Sequence, residues 1–127
     1  MNLGAPDVGA LDGYLLDGSA EVMITGQLSH CRFCFVADGA GLACTHMSPR
    51  GSPAGPVQMQ QDLTANGGFA NYAGALGTYG RQDYTGYANV LGVRVGGSWR
   101  LYAQQSNDTL KTITSAARIY PGPATPL

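Results

Sequence analysis

The sequence predicts an α+β, β-rich fold: a two-layer sandwich of short antiparallel strands with one or two helices. Three observations predict it. Glycine supplies 19 of 127 residues, about twice the usual ~7%, which favours short strands joined by tight turns over long helices. Apolar and aromatic runs flank Gly-rich turns in at least two places, the pattern of hairpins. One stretch, "VQMQQDLTA" (57–65), has helical character and ends at Asn66-Gly67-Gly68, a helix-stop signal.

Taken in order, residues 1–20 are rich in Gly, Asp and small side chains and are expected to form a loose lead-in. "EVMIT" (21–25) predicts a short strand. "CRFCFVA" (31–37), the turn "DGAG" and "LACTHMS" (42–48) predict a hairpin. "PRGSPAGP" (49–56) is a loop by composition. Residues 69–87, rich in Gly and Tyr, fit either a frayed helix or a functional loop. "YANVLGVRVGGSWRLYAQ" (87–104) predicts the clearest hairpin. A three-residue loop, Gly96-Gly97-Ser98, sets Val95, Val93 and Leu91 beside Trp99, Leu101 and Ala103 and leaves Arg94 and Arg100 opposite. That register is expected because it gives one wholly apolar face. The β-branched run in 109–121 predicts a last strand, and 121–127 a flexible tail. All 127 residues are expected to make a single domain.

The charge balance excludes several classes of partner. Seven basic and eight acidic residues leave a net charge of −1, so no general field attracts nucleic acid or anionic lipid. No apolar run approaches the ~20 residues of a membrane span. The N-terminus lacks the basic and apolar regions of a Sec signal peptide. No Gly-rich phosphate loop is present, so no nucleotide or other cofactor is expected. Three cysteines crowded between residues 31 and 44 are not a disulfide scaffold and suit a protein acting in the cytosol. A monomer is expected.

The chemistry concentrates in "ITGQLSHCRFC" (24–34) and "LACTHMS" (42–48). With "DGAG" as the turn, Ala37 faces Leu42, Phe35 faces Cys44 and Phe33 faces His46. Cys31 and His46 then become diagonal neighbours on one face, about 7–8 Å apart at their backbones. Three readings of Cys31 follow: a small buried hydrophobe, a nucleophile with His46 as its base, or a metal ligand. The metal reading draws on Cys31, Cys34, Cys44 and His46, residue types that bind zinc. Its difficulty is the register, which turns Cys34 to the other face. His30, Gln27 and Ser29 also fit ordinary surface or turn roles.

Leu28-Ser29-His30-Cys31 resembles the Leu-Ser-Gly-Cys signature of the bacterial toxin glutamine deamidases. These include the cytotoxic necrotizing factors, the Burkholderia lethal factor and, more remotely, the chemotaxis deamidase CheD. The resemblance spans residues 21 to about 48. It implies Cys31 as nucleophile and His46, one hairpin on, as base. In the lethal-factor branch an upstream threonine completes the site, and Thr25 stands in the matching place, where its hydroxyl would orient His46. Backbone amides from Ser29 to Cys31 would hold the oxyanion. His30 replaces the family's glycine, so that backbone would have to take its shape with a side chain in place.

The function implied is conversion of a target-protein glutamine to glutamate by a secreted or translocated bacterial effector acting in target-cell cytosol. Transglutamination shares the same first step. A zinc-stabilised or plain protein-binding module is the non-enzymatic alternative, and a cysteine protease a third.

Overall fold

The Phe33–Phe35 alternation and the turn at Gly39 build the hairpin from which the first sheet grows. In the computed structural model, which describes residues 14–29, 31–39, 41–47, 76–107 and 112–127, β3 (Arg32–Asp38) and β4 (Gly41–Met47) pair antiparallel with Phe33 opposite His46, Phe35 opposite Cys44 and Ala37 opposite Leu42. This is the expected register. Gly39 has φ of 60°, a left-handed value that suits a tight turn. β1 (Tyr14–Leu16) adds to the free edge of β4, and β5 (Leu76–Tyr79) to that of β3. The sheet order is β1-β4-β3-β5.

The second sheet has the order β2-β6-β7-β8-β9. Its strands are β2 (Val22–Ile24), β6 (Tyr87–Val95), β7 (Ser98–Asn107), β8 (Thr112–Tyr120) and β9 (Thr125–Pro126). Every strand pair in both sheets is antiparallel. One apolar cluster joins the layers. Phe33, Phe35, Leu42 and Cys44 of the first sheet meet Val90, Trp99, Leu101 and Ala103 of the second. Polar ties cross as well: Trp99 Nε1 donates to the Asp17 carbonyl at 3.1 Å. The Phe35 and Tyr120 rings meet edge to face, 5.9 Å between centroids.

Several expectations are corrected. The fold class is all-β, not α+β, because the described residues form two antiparallel sheets and no helix. Within them, then, no helix is long and apolar enough to cross a membrane. The helix expected at 57–65 and the loop at 49–56 lie outside the described residues. Of the ambiguous stretch 69–87, residues 76–79 are a strand and 81–83 a turn. The tail is not loose: Thr125 pairs with Arg118 and Pro126 with Ala117, and Leu127 N donates to Ala116 O at 3.0 Å. Likewise, residues 14–16 of the lead-in are held as a strand against β4.

The β6–β7 register also differs from expectation. Val95 pairs with Ser98 and Val93 with Arg100 across a two-residue Gly96-Gly97 turn. Both glycines have positive φ, 58° and 83°, the backbone that matches the twist of a two-residue hairpin. The core face of β6 is therefore the one bearing Ala88, Val90 and Gly92, while Val93 and Val95 face solvent. Small residues belong on the inner face here because large ones sit opposite. A Cβ on Gly92 would lie 3.2 Å from Leu101 and 3.3 Å from Trp99.

Gly77 shows the same logic on β5, where a Cβ would enter the space of the Phe35 ring. Gly77→Ala is expected to destabilise the fold by about 1–3 kcal/mol, measured as the shift in a urea unfolding curve. Gly18→Ala, where nothing lies within 4 Å of the added atom, should leave the curve within about 0.5 kcal/mol.

Candidate functional site

The site is built where β3 begins and β4 ends. Cys31 directly precedes β3, and the strand alternation places it on the inner face with Phe33 and Phe35. Its backbone is fixed by Tyr84, whose hydroxyl donates to the Cys31 carbonyl at 3.1 Å. Tyr84 is itself held by a stacked Tyr79 ring, 5.6 Å away, and by the Arg81 guanidinium 5.3 Å from its ring centre. Cys31 retains 7% of its surface exposed, whereas Cys34 and Cys44 have none.

His46 stands across from Phe33, near the end of β4, and is half-buried. Burial pushes its pKa below the ordinary imidazole range. A neutral imidazole at pH 7 can take a proton, as a general base must. Its Nε2 is buried and has no hydrogen-bond partner among the described residues. The ring borders a cavity of about 150 Å³ walled by Met23, Ile24, Thr25 and Gly26. Gly26 lies against the ring, where a Cβ would stand 4.0 Å from His46 Cε1, an ordinary van der Waals distance.

Thr25 therefore reaches His46 as part of a cavity wall. Its hydroxyl is committed elsewhere, donating to Gly26 O at 2.8 Å and accepting from Val90 N at 3.0 Å. Its backbone is tied to the second sheet twice more: Thr25 N donates to Val90 O at 2.9 Å, and Asn89 Nδ2 donates to Thr25 O at 3.1 Å. The expected hydroxyl contact to the imidazole is replaced by this anchoring, which holds the Thr25-Gly26 wall against the ring.

Ser29 is half-buried beside Leu28, whose backbone exchanges two hydrogen bonds with Ala88, at 2.7 and 2.9 Å. That pair fixes the chain two residues before His30, which lies outside the described residues. The oxyanion contacts expected of His30 thus fall outside them too.

The four zinc-type ligands do not converge. Cys34 is on the opposite face of β3 from Cys31, opposite Thr45 on one side and Thr78 on the other. Burial pushes its thiol up to about 12, with nearby Arg32 pulling the other way. Burial alone raises the Cys44 thiol to about 12. Among the described residues no group of three His, Cys, Asp or Glu side chains is placed to hold a metal ion.

Sequence reasoning missed Gly26, Tyr84 and Asn89. Gly26 follows Thr25 directly and could have been found as a small residue beside a candidate site. Tyr84 and Asn89 act on Cys31 and Thr25 over 53 and 64 residues of chain, and no local pattern announces such contacts. The chain matches no family model, no curated protein and no solved structure.

Proposed function

We propose that the chain is a cysteine-dependent deamidase that converts a glutamine side chain of a target protein to glutamate, as a bacterial effector would in a target cell. The observation that carries the reading is the β3–β4 register. It pairs Phe33 with His46 and so sets His46 diagonal to Cys31 on one face, with Thr25 and Gly26 walling the imidazole. The Leu-Ser-His-Cys run supports the same chemistry.

In this reading Cys31 Sγ attacks the side-chain amide carbon while His46 takes the thiol proton. An S–C bond forms and the carbonyl oxygen becomes an oxyanion held by backbone N–H groups around Cys31. The oxyanion collapses, the C–N bond breaks, and His46 returns the proton to the leaving nitrogen, which departs as ammonia. Water then attacks the thioester, giving up a proton to His46. Glutamate is released and Cys31 recovers its thiol. A neutral imidazole is the form this cycle requires at its start, and burial of His46 favours that form.

The test is to incubate the protein with cell lysate, beside Cys31→Ser, and search by mass spectrometry for glutamines gaining the mass of deamidation. Sites converted by the wild type and untouched by Cys31→Ser are the expected result. Identical maps from the two proteins would refute the proposal.

A further inference from the structure

A second cavity, of about 420 Å³, lies apart from the His46 wall, between β5 and β8. Its size falls within the ~300–1,000 Å³ of small-ligand sites. Phe35, Ile119 and Tyr120 give it apolar and aromatic walls, and Tyr79, Asp83 and Gln105 supply polar groups.

Two of those polar groups have unused capacity. Tyr79 is 6% exposed, and its buried hydroxyl makes no well-formed hydrogen bond among the described residues. The Gln105 side chain lies beside it, its amide also serving Thr85 N at 3.2 Å and the Asp83 carbonyl at 3.4 Å. Leaving such a hydroxyl unpaired is costly, on the order of 1–3 kcal/mol, unless something else supplies the partner. Asp83 uses one carboxylate oxygen on Gly80 N at 2.8 Å. No basic side chain pairs with it among the described residues: Arg81 turns to the Gly86 carbonyl and the Tyr84 ring, and the one ion pair there is Arg94 with Glu21.

The cleft thus offers a carboxylate, an acceptor hydroxyl and aromatic faces, with no cation among the described residues that line it. A guanidinium fits this set better than an ammonium. It is planar, stacks on aromatic rings, is weakly hydrated, and presents five N–H donors for several acceptors at once. The cleft opens beside β5, the edge strand of its sheet among the described residues, along which an extended chain can lie. We propose that this cleft binds the arginine side chain of a protein partner, with Asp83 and Tyr79 accepting from the guanidinium and the joined Phe35 and Tyr120 rings forming the apolar wall beside it. The proposal stands independently of the deamidase reading. Burial, with the Asp83 carboxylate and Tyr84 adding to it and the Gln105 side chain pulling the other way, raises the Tyr79 hydroxyl to about 12, so it remains protonated.

The test is a calorimetric titration of the whole chain with three probes: acetyl-Ala-Arg-Ala-amide, the same peptide with neutral citrulline for arginine, and agmatine. Asp83→Asn and Tyr79→Phe are titrated alongside. The side-chain oxygen of Asn still accepts from Gly80 N–H, and Phe keeps the ring stack, so melting temperatures close to wild type are the check on folding. The arginine peptide should bind at least about tenfold more tightly than the citrulline peptide, and Asp83→Asn should cost a similar factor. Tyr79→Phe should weaken binding severalfold. Equal binding of arginine and citrulline peptides, or an Asp83→Asn variant that binds like wild type, would overturn the proposal. Agmatine binding as tightly as the peptide would assign the cleft to small guanidinium ligands and overturn the protein partner.

Discussion

His46→Asn is expected to slow glutamine deamidation by about 10²–10⁴-fold, the usual worth of a positioned general base, while the protein remains folded. The ring borders a cavity of about 150 Å³ and its Nε2 makes no hydrogen bond among the described residues, so a smaller amide breaks no bond to that nitrogen there. The same residue controls two pH dependences. Burial lowers the folded pKa of His46 from the ordinary 6.5. Acid therefore silences the base only below that ordinary value, and the acid limb of the rate profile should be displaced downward from 6.5. Stability moves in the same direction. As pH falls through 6.5 the unfolded chain takes up a proton that the folded chain refuses, so the fold loses stability from about 6.5 down to the depressed pKa, and no more from this group below it. Urea midpoints across that window should show the loss in wild type and a flatter line in His46→Asn. Equal slopes would mean that another group titrates there.

Phe33→Ala is expected to have the largest effect on stability, about 3–5 kcal/mol. Phe33 is 1% exposed, lies between His46 and Tyr79 in the sheet, and packs on Phe35 with ring centroids 5.9 Å apart. Removing the ring forfeits its transfer energy and leaves a void between two sheets that are held by their own hydrogen bonds and cannot close over it. For a domain of this size the loss should lower the melting temperature by roughly 10–20 °C. It should also loosen the strand positions that carry Cys31 and His46, so activity should fall at temperatures where the variant is still folded. Ile113→Ala is the matched control. Ile113 is 59% exposed, and a change within about 0.5 kcal/mol is expected.

The β3–β4 hairpin was legible in the sequence because its aromatic residues alternate and a Gly-containing turn fixes which residues oppose. That one register brought Cys31 and His46 to the same face and sent Cys34 to the other. The β6–β7 register was not legible by the same reasoning. Val93 and Val95 resemble core residues but are exposed, and Gly92 resembles a weak strand position but receives Trp99 and Leu101. Inner-face size is set by what the partner strand supplies, which an apolar count along one strand does not contain. The expected α elements rest on residues 57–65 and on one of two readings of 69–87, and the described part of the chain forms its core from strands without a helix. Thr25 was identified by its place upstream of Cys31, yet its hydroxyl bonds Val90, 65 residues on. Position along the chain was informative there, and the bonding partner was not.

The central claim is that Cys31 is a working nucleophile served by His46, and it can be tested before any substrate is known. The measurement is iodoacetamide labelling of the folded protein at neutral pH, with the rate at each cysteine followed by mass spectrometry. Cys34 and Cys44 are fully buried, and burial raises both thiols to about 12, so both should stay inert until the protein unfolds. The account predicts that Cys31 reacts at least about 100-fold faster than either, and that His46→Asn slows it. If Cys31 reacts only on unfolding, together with Cys34 and Cys44, it is a buried core thiol and the deamidase proposal is wrong.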